Sequence, residues 1–304
     1  MYVGIPRKHN SAPLAVHAAL FIVSVLFGMT YVAGKIAMRE ITPAALVMLR
    51  AWGTAGLLFL LLGVQREKRD LRLNKHDLGL VILYSLLGVS INQICFLTGL
   101  SRSTATDASI MQVLIPLFTL GFAVALRRER LTVRAAIGIA LGLCGGLLLI
   151  LPRGGFDFSS RTASGNLFLL ASGLSYALYL VLARTLLARR DAVVVVSWTF
   201  LAGALAITPF ALGPEMAFLS RGATPVAWAT IAFVVIGGTT IPYLLNNWAL
   251  GQVKSSLVGV YVFIQPLVGI VLGHVVLNER LGPDSLIAAA LILAGVAISA
   301  FRRP

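Results

Sequence analysis

Acidic side chains are scarce. The chain has 11 Asp and Glu in 304 residues, and each lies between apolar runs or at the edge of one. Chemistry that needs a carboxylate pair at depth is therefore excluded. Histidine is rarer still: His9, His17, His76 and His274 are scattered along the sequence. Cys95 and Cys144 have no His or Cys neighbour at ligand spacing, so neither a disulfide framework nor a metal site is expected. HExxH, GxSxG and phosphate-binding glycine loops are missing, which leaves an enzyme without a nucleophile, base or metal; no cofactor is expected. Polar stretches are too short to build a soluble domain.

What is present is apolar. Hydrophobic residues make up 58% of the chain and charged residues 12%, with a mean hydropathy of +0.92. A helix needs about 20 apolar residues to cross a bilayer core. Such runs are expected near 16–38, 43–63, 77–98, 107–126 and 133–151, and again near 165–187, 192–212, 226–249, 256–277 and 284–301. The fold class is thus an all-α integral membrane protein of ten transmembrane helices, with the lipid bilayer as its surroundings.

The net charge of +14 reads as an orientation signal rather than a nucleic-acid footprint. Alternate segments beginning with the N-terminus hold 17 Lys and Arg, the opposite loops hold 6, and Lys35 and Arg50 fall within spans. Both termini are expected to be cytoplasmic, in a multi-pass inner (plasma) membrane protein.

A shift of 150 residues pairs Gly88 with Gly238, Pro116 with Pro266, Gly145 with Gly295, and Glu129-Arg130-Leu131 with Glu279-Arg280-Leu281. These matches mark a duplication. A short tail (1–15) precedes a first five-helix repeat (16–152), and a second follows (165–301). Five spans per copy is odd, so the second copy should enter from the opposite side, as an inverted repeat.

Two five-helix copies, each with Pro in its fourth helix, Glu-Arg-Leu at that helix's exit and a Gly/Ala-rich fifth helix, resemble the drug/metabolite transporter superfamily, in its EamA-type branch. Leu26-Phe27-Gly28-Met29-Thr30-Tyr31 followed by Lys35 is similar to that family's opening, and Leu174-Ser175-Tyr176-Ala177 opens the second copy similarly. The resemblance implies a basket of helices around a central cavity, and export, exchange or uptake of small polar metabolites.

Within the spans, ionisable and amide groups are the functional candidates. Lys35 and Arg50 lie in the outer halves of the first and second spans, either snorkelling to the periplasmic interface or lending the outer mouth a positive field that draws a substrate carboxylate. Asn92 and Gln93 on the third helix and Asn246 and Asn247 on the eighth are helix glue or cavity lining. Thr30, Tyr31, Tyr176, Tyr179, Trp198 and Tyr243 could complete a cavity suited to amphipathic molecules, and Gln265 beside Pro266 could satisfy a freed carbonyl. Glu129 and Glu279 read as helix caps. The absence of a carboxylate at depth argues against the embedded Glu of small multidrug proton antiporters. The expected partner is a small-molecule substrate, most plainly an amino acid or similar zwitterion, with proton-driven drug efflux or metabolite uptake as the alternative. A monomer or homodimer would suffice.

Overall fold

The computed structural model describes residues 14–64, 73–103, 108, 111–150, 160–212, 222–277 and 283–300. These residues form helices, with no strand among them. They are α1 (Leu14–Ala37), α2 (Pro43–Val64), α3 (Lys75–Arg102), α4 (Ile115–Ala125), α5 (Val133–Ile150), α6 (Ser160–Leu187), α7 (Ala192–Ala211), α8 (Pro225–Leu250), α9 (Ser255–Leu277) and α10 (Pro283–Ala300). Most expected boundaries agree to within a few residues; the expected start of the fourth span, at 107, lies outside the described residues.

Six helices, α1, α2, α3, α6, α7 and α8, have both the length and the hydropathy to cross a membrane, and apolar stretches of α4, α5 and α9 are shorter. In lipid every backbone group must be satisfied within the segment, which makes helices the outcome of these runs. Their starts are set by local chemistry. Asn74, Asp191 and Thr224 accept hydrogen bonds from the first free amides of α3, α7 and α8, while Pro opens α2, α8 and α10 where no amide is needed.

The duplication is visible in irregularities as well as in helices. α3 widens into a π-helical turn at Leu86–Ile91, and α8 does the same at Ile236–Thr240, 150 positions later. Packing exchanges between the halves. α1 lies on α8 and α9 as α6 lies on α3 and α4; α2 packs on α7, α5 on α10, and the start of α9 on α4. The α5–α10 contact depends on glycine: a Cβ on Gly295 would fall 2.6 Å from Gly138 O.

Two corners tie the halves at helix ends. The carboxylate of Asp77, fully buried at the start of α3, binds Arg189 at 2.6 Å and Arg190 at 2.9 Å. At the matching start of α8, Thr224 donates its amide (2.9 Å) and hydroxyl (2.6 Å) to Glu40. Glu129 does cap a helix, and it does so across the repeats. Its carboxylate accepts from Ser255 Oγ at 2.7 Å, from the Ser256 amide at 3.3 Å and from Ser256 Oγ, at the first turn of α9. Glu279 lies outside the described residues, as do the side chains of His274 and Asp284.

Candidate functional site

A cavity of about 60 Å³ opens between the halves. At roughly 10–15 Å³ per water it has room for a molecule the size of a few waters. Its walls are Phe27, Thr30 and Tyr31 of α1, Arg50 of α2, Asn92, Gln93 and Phe96 of α3, Ile115 of α4 with Gln112 just before it, Tyr176 of α6, Tyr243 of α8 and Gln265 of α9. Several of these are repeat counterparts: Gln93 and Tyr243 stand 150 apart, Ile115 and Gln265 also 150, and Phe27 and Tyr176 149.

The π-turns shape this centre. A π-turn inserts a residue into the helix and displaces carbonyls and side chains from their α-helical positions. In α3 the Gly88 carbonyl accepts from the Tyr243 hydroxyl at 2.7 Å. In α8 the Thr239 hydroxyl donates back to Val234 O at 2.7 Å and accepts from Arg50 Nε at 2.9 Å, with Gly238 O at 3.5 Å from Arg50 Nη2. Glycine is required at both turns, because a Cβ on Gly88 would meet the Tyr179 ring at 2.7 Å and one on Gly238 would meet Thr30 Oγ1 at 2.6 Å.

Arg50 is 4% exposed. It does not snorkel: its guanidinium points across the bundle to α8, Nη1 has no hydrogen-bond partner, and no carboxylate among the described residues pairs with it. A buried cation without a counter-charge costs several kcal/mol of desolvation that polar neighbours only partly offset. Both polar atoms of the buried Gln93 amide also lack a partner of good hydrogen-bonding geometry, although Tyr243 is close by. Several other polar groups are committed. Tyr31 Oη donates to Gln265 Oε1 at 2.7 Å, and Asn92 Nδ2 donates to Ser172 Oγ at 3.0 Å. The rings enclose the rest: Tyr31 lies 5.7 Å from Phe96, and Phe27 stands edge-on to Tyr243 at 6.0 Å.

Four of the expected residues lie off this cavity. Tyr179 and Asn247 hydrogen-bond to each other behind it. Asn247 also donates to Tyr243 O at 2.8 Å. Asn246 donates to the Tyr176 hydroxyl at 3.0 Å and lines a second, smaller cavity. Trp198 packs edge-on to Phe59 on the α2–α7 seam. Gln265 serves Tyr31 rather than a carbonyl freed by Pro266. Lys35 does not reach the cavity either, since its Nζ donates to Ser103 O at 2.8 Å. Phe27, Phe96, Gln112 and Ile115 line the cavity in addition to the expected residues. Gln112 carried a usable signal, being a lone amide in an apolar run, and Ile115 was marked by the 150-residue shift from Gln265. Among the described residues no three His, Cys, Asp or Glu side chains gather as a metal site.

The sequence pattern of the EamA-like transporter family matches residues 14–151 and 163–301. The chain is 24% identical to the "Uncharacterized transporter YetK" of Bacillus subtilis (strain 168), over 98% of this chain and 89% of that protein. It is 24% identical to an "Uncharacterized transporter" of Archaeoglobus fulgidus, over 93% of this chain and 98% of the relative. A solved structure described as "Crystal structure of protein" superposes with a TM-score of 0.77 at 23% identity, over 95% of this chain and 97% of that one, which shows a shared fold. Matched over both of its halves, this multi-pass membrane protein belongs to the EamA-like transporter family.

Proposed function

We propose that this transporter exports or exchanges amino acids or similar zwitterions, binding the carboxylate at Arg50. The observation that carries the reading is the guanidinium itself, buried beside the cavity with Nη1 unpartnered and no carboxylate among the described residues to neutralise it. A substrate carboxylate supplies the missing charge and acceptor. Gln93 then offers an amide oxygen to an ammonium group, and Phe27, Phe96 and Tyr176 receive an apolar side chain.

In this reading the halves lie upside down relative to each other in the inner membrane, with both termini cytoplasmic. They rock about the central cavity, which faces one side and then the other. The substrate passes unchanged, and one chain or a homodimer serves equally. Rings along the cavity favour, as a second reading, efflux of amphipathic drugs or uptake of an organic metabolite driven by protons.

The deciding experiment is counterflow in liposomes holding the purified protein. Labelled amino acids are compared with lipophilic cations, with and without a pH gradient. Amino-acid counterflow independent of the gradient supports the proposal. Gradient-dependent cation transport without amino-acid counterflow overturns it in favour of the second reading.

A further inference from the structure

The two cavities share a wall. Phe27, Tyr176 and Gln265 line both the central cavity and the smaller one, whose volume of about 10 Å³ fits roughly one water. On α1 the small cavity is lined by Leu20, Val23 and Ser24, about two to three turns nearer the start of the helix than Thr30 and Tyr31. It therefore continues from the central cavity toward the side on which α1 begins. Phe27 and Tyr176, the rings between the two spaces, are repeat counterparts.

Tyr261 lines the far part of the small cavity. It stands in the tight 3₁₀ turn Tyr261–Phe263 that interrupts α9. Two contacts hold it to α1: its hydroxyl lies 2.6 Å from His17 Nδ1, and its carbonyl accepts from Ser24 Oγ at 2.8 Å. His17 is two turns before Ser24, in the first turn of the helix. The small cavity also contains the Asn246 side chain, an amide that a purely apolar packing defect would not need.

We infer that the small cavity is a closed stretch of the substrate path, with Phe27 and Tyr176 as a septum and Tyr261, held by His17 and Ser24, as a plug beyond it. The inference rests on reading the central cavity as the transport site. In this conformation the path toward the N-terminal side is shut at two levels. Opening it requires the two rings to part and Tyr261 to leave His17. Asn246, which lies off the main cavity, thereby gains a place on the route.

Single cysteines test this in a background carrying Cys95→Ser and Cys144→Ser. Gln112→Cys reports on the central cavity, and Leu20→Cys and Val262→Cys report on the small one. A charged, membrane-impermeant methanethiosulfonate is applied to right-side-out and inside-out vesicles. The expected result is that Leu20→Cys and Val262→Cys react from the N-terminal side. Adding Tyr261→Phe to Leu20→Cys raises its rate about fivefold, the weight of one lost hydrogen bond. Labelling of Gln112→Cys with both small-cavity cysteines inert from either side, even with Tyr261→Phe, overturns the inference and leaves the transport reading standing. If Gln112→Cys is inert from both sides as well, the transport reading falls too.

Discussion

Lys35 and Arg184 stand 149 positions apart and make the same bond. Lys35 Nζ donates to Ser103 O at 2.8 Å, and Arg184 Nε donates to Val253 O at 2.6 Å. The acceptors are 150 apart, each just past the third helix of its repeat. Carbonyls there have no partner within their own helix, and a cation at a helix C-terminus is favoured. Lys35→Met and Arg184→Met are each expected to cost about 1–2 kcal/mol, seen as a few degrees lost from the unfolding midpoint in detergent. Lys35→Arg should restore most of the loss.

Gly88 and Gly238 leave little room for a side chain. A methyl at Gly88 meets the Tyr179 ring and one at Gly238 meets Thr30, both closer than van der Waals contact. Gly88→Ala is expected to cost about 1–3 kcal/mol of overpacking, because a buried ring pinned by Asn247 has little room to withdraw. Gly238→Ala should cost less, since the Thr30 hydroxyl can rotate, yet it should slow transport by displacing the carbonyl beside Arg50. Thermal unfolding and counterflow, measured on the same preparations, separate the two effects.

Glu129 holds the first turn of α9 from the opposite repeat. Replacing it with Ala strips the partner from Ser255 and Ser256 and should destabilise that turn by about 1 kcal/mol, the usual weight of a helix cap. Hydrogen exchange at residues 255–260 should speed up several-fold, while the amides in the middle of α1 stay protected. Unchanged exchange at those residues would show that the cap contributes nothing.

The Glu40 corner is expected to loosen in acid. Hydrogen bonds from the Thr224 side chain and backbone hold the Glu40 carboxyl below the usual glutamate range. A depressed carboxyl adds stability above its ordinary pKa, and that stability is lost as pH falls through the folded value. Protection of the Thr224 amide should therefore persist near neutral pH and fade only as pH falls below the usual glutamate range. In Glu40→Gln the amide should be less protected throughout and lack this acid step.

Much of this was legible in the residues. Hydropathy located the helices because a membrane leaves the backbone no other choice over such runs, and Gly88 with Gly238 announced the repeat. Arg50 was conspicuous because a cation is expensive in an apolar span. Its direction was not legible, because the turn that receives it is a π-helix, and nothing in Ile236-Gly237-Gly238-Thr239-Thr240 separates that from an α-turn. Tyr176 and Tyr179 do share a face, with rings stacked at 5.9 Å. Three residues advance the helix by nearly a full turn but leave about 60° between the two, enough to put Tyr176 on the cavity and Tyr179 behind it. Gln112 is an amide in an apolar run, and the burial argument that singles out Gln93 applies to it equally.

The central claim is that Arg50 holds the anionic group of the substrate. It is tested most directly by competing an amino acid and its carboxamide analogue for counterflow, in the parent and in Arg50→Gln. The parent is expected to prefer the carboxylate by about tenfold or more, the weight of one charge-assisted hydrogen bond, and Arg50→Gln to abolish the preference. An undiminished carboxylate preference in Arg50→Gln would contradict it.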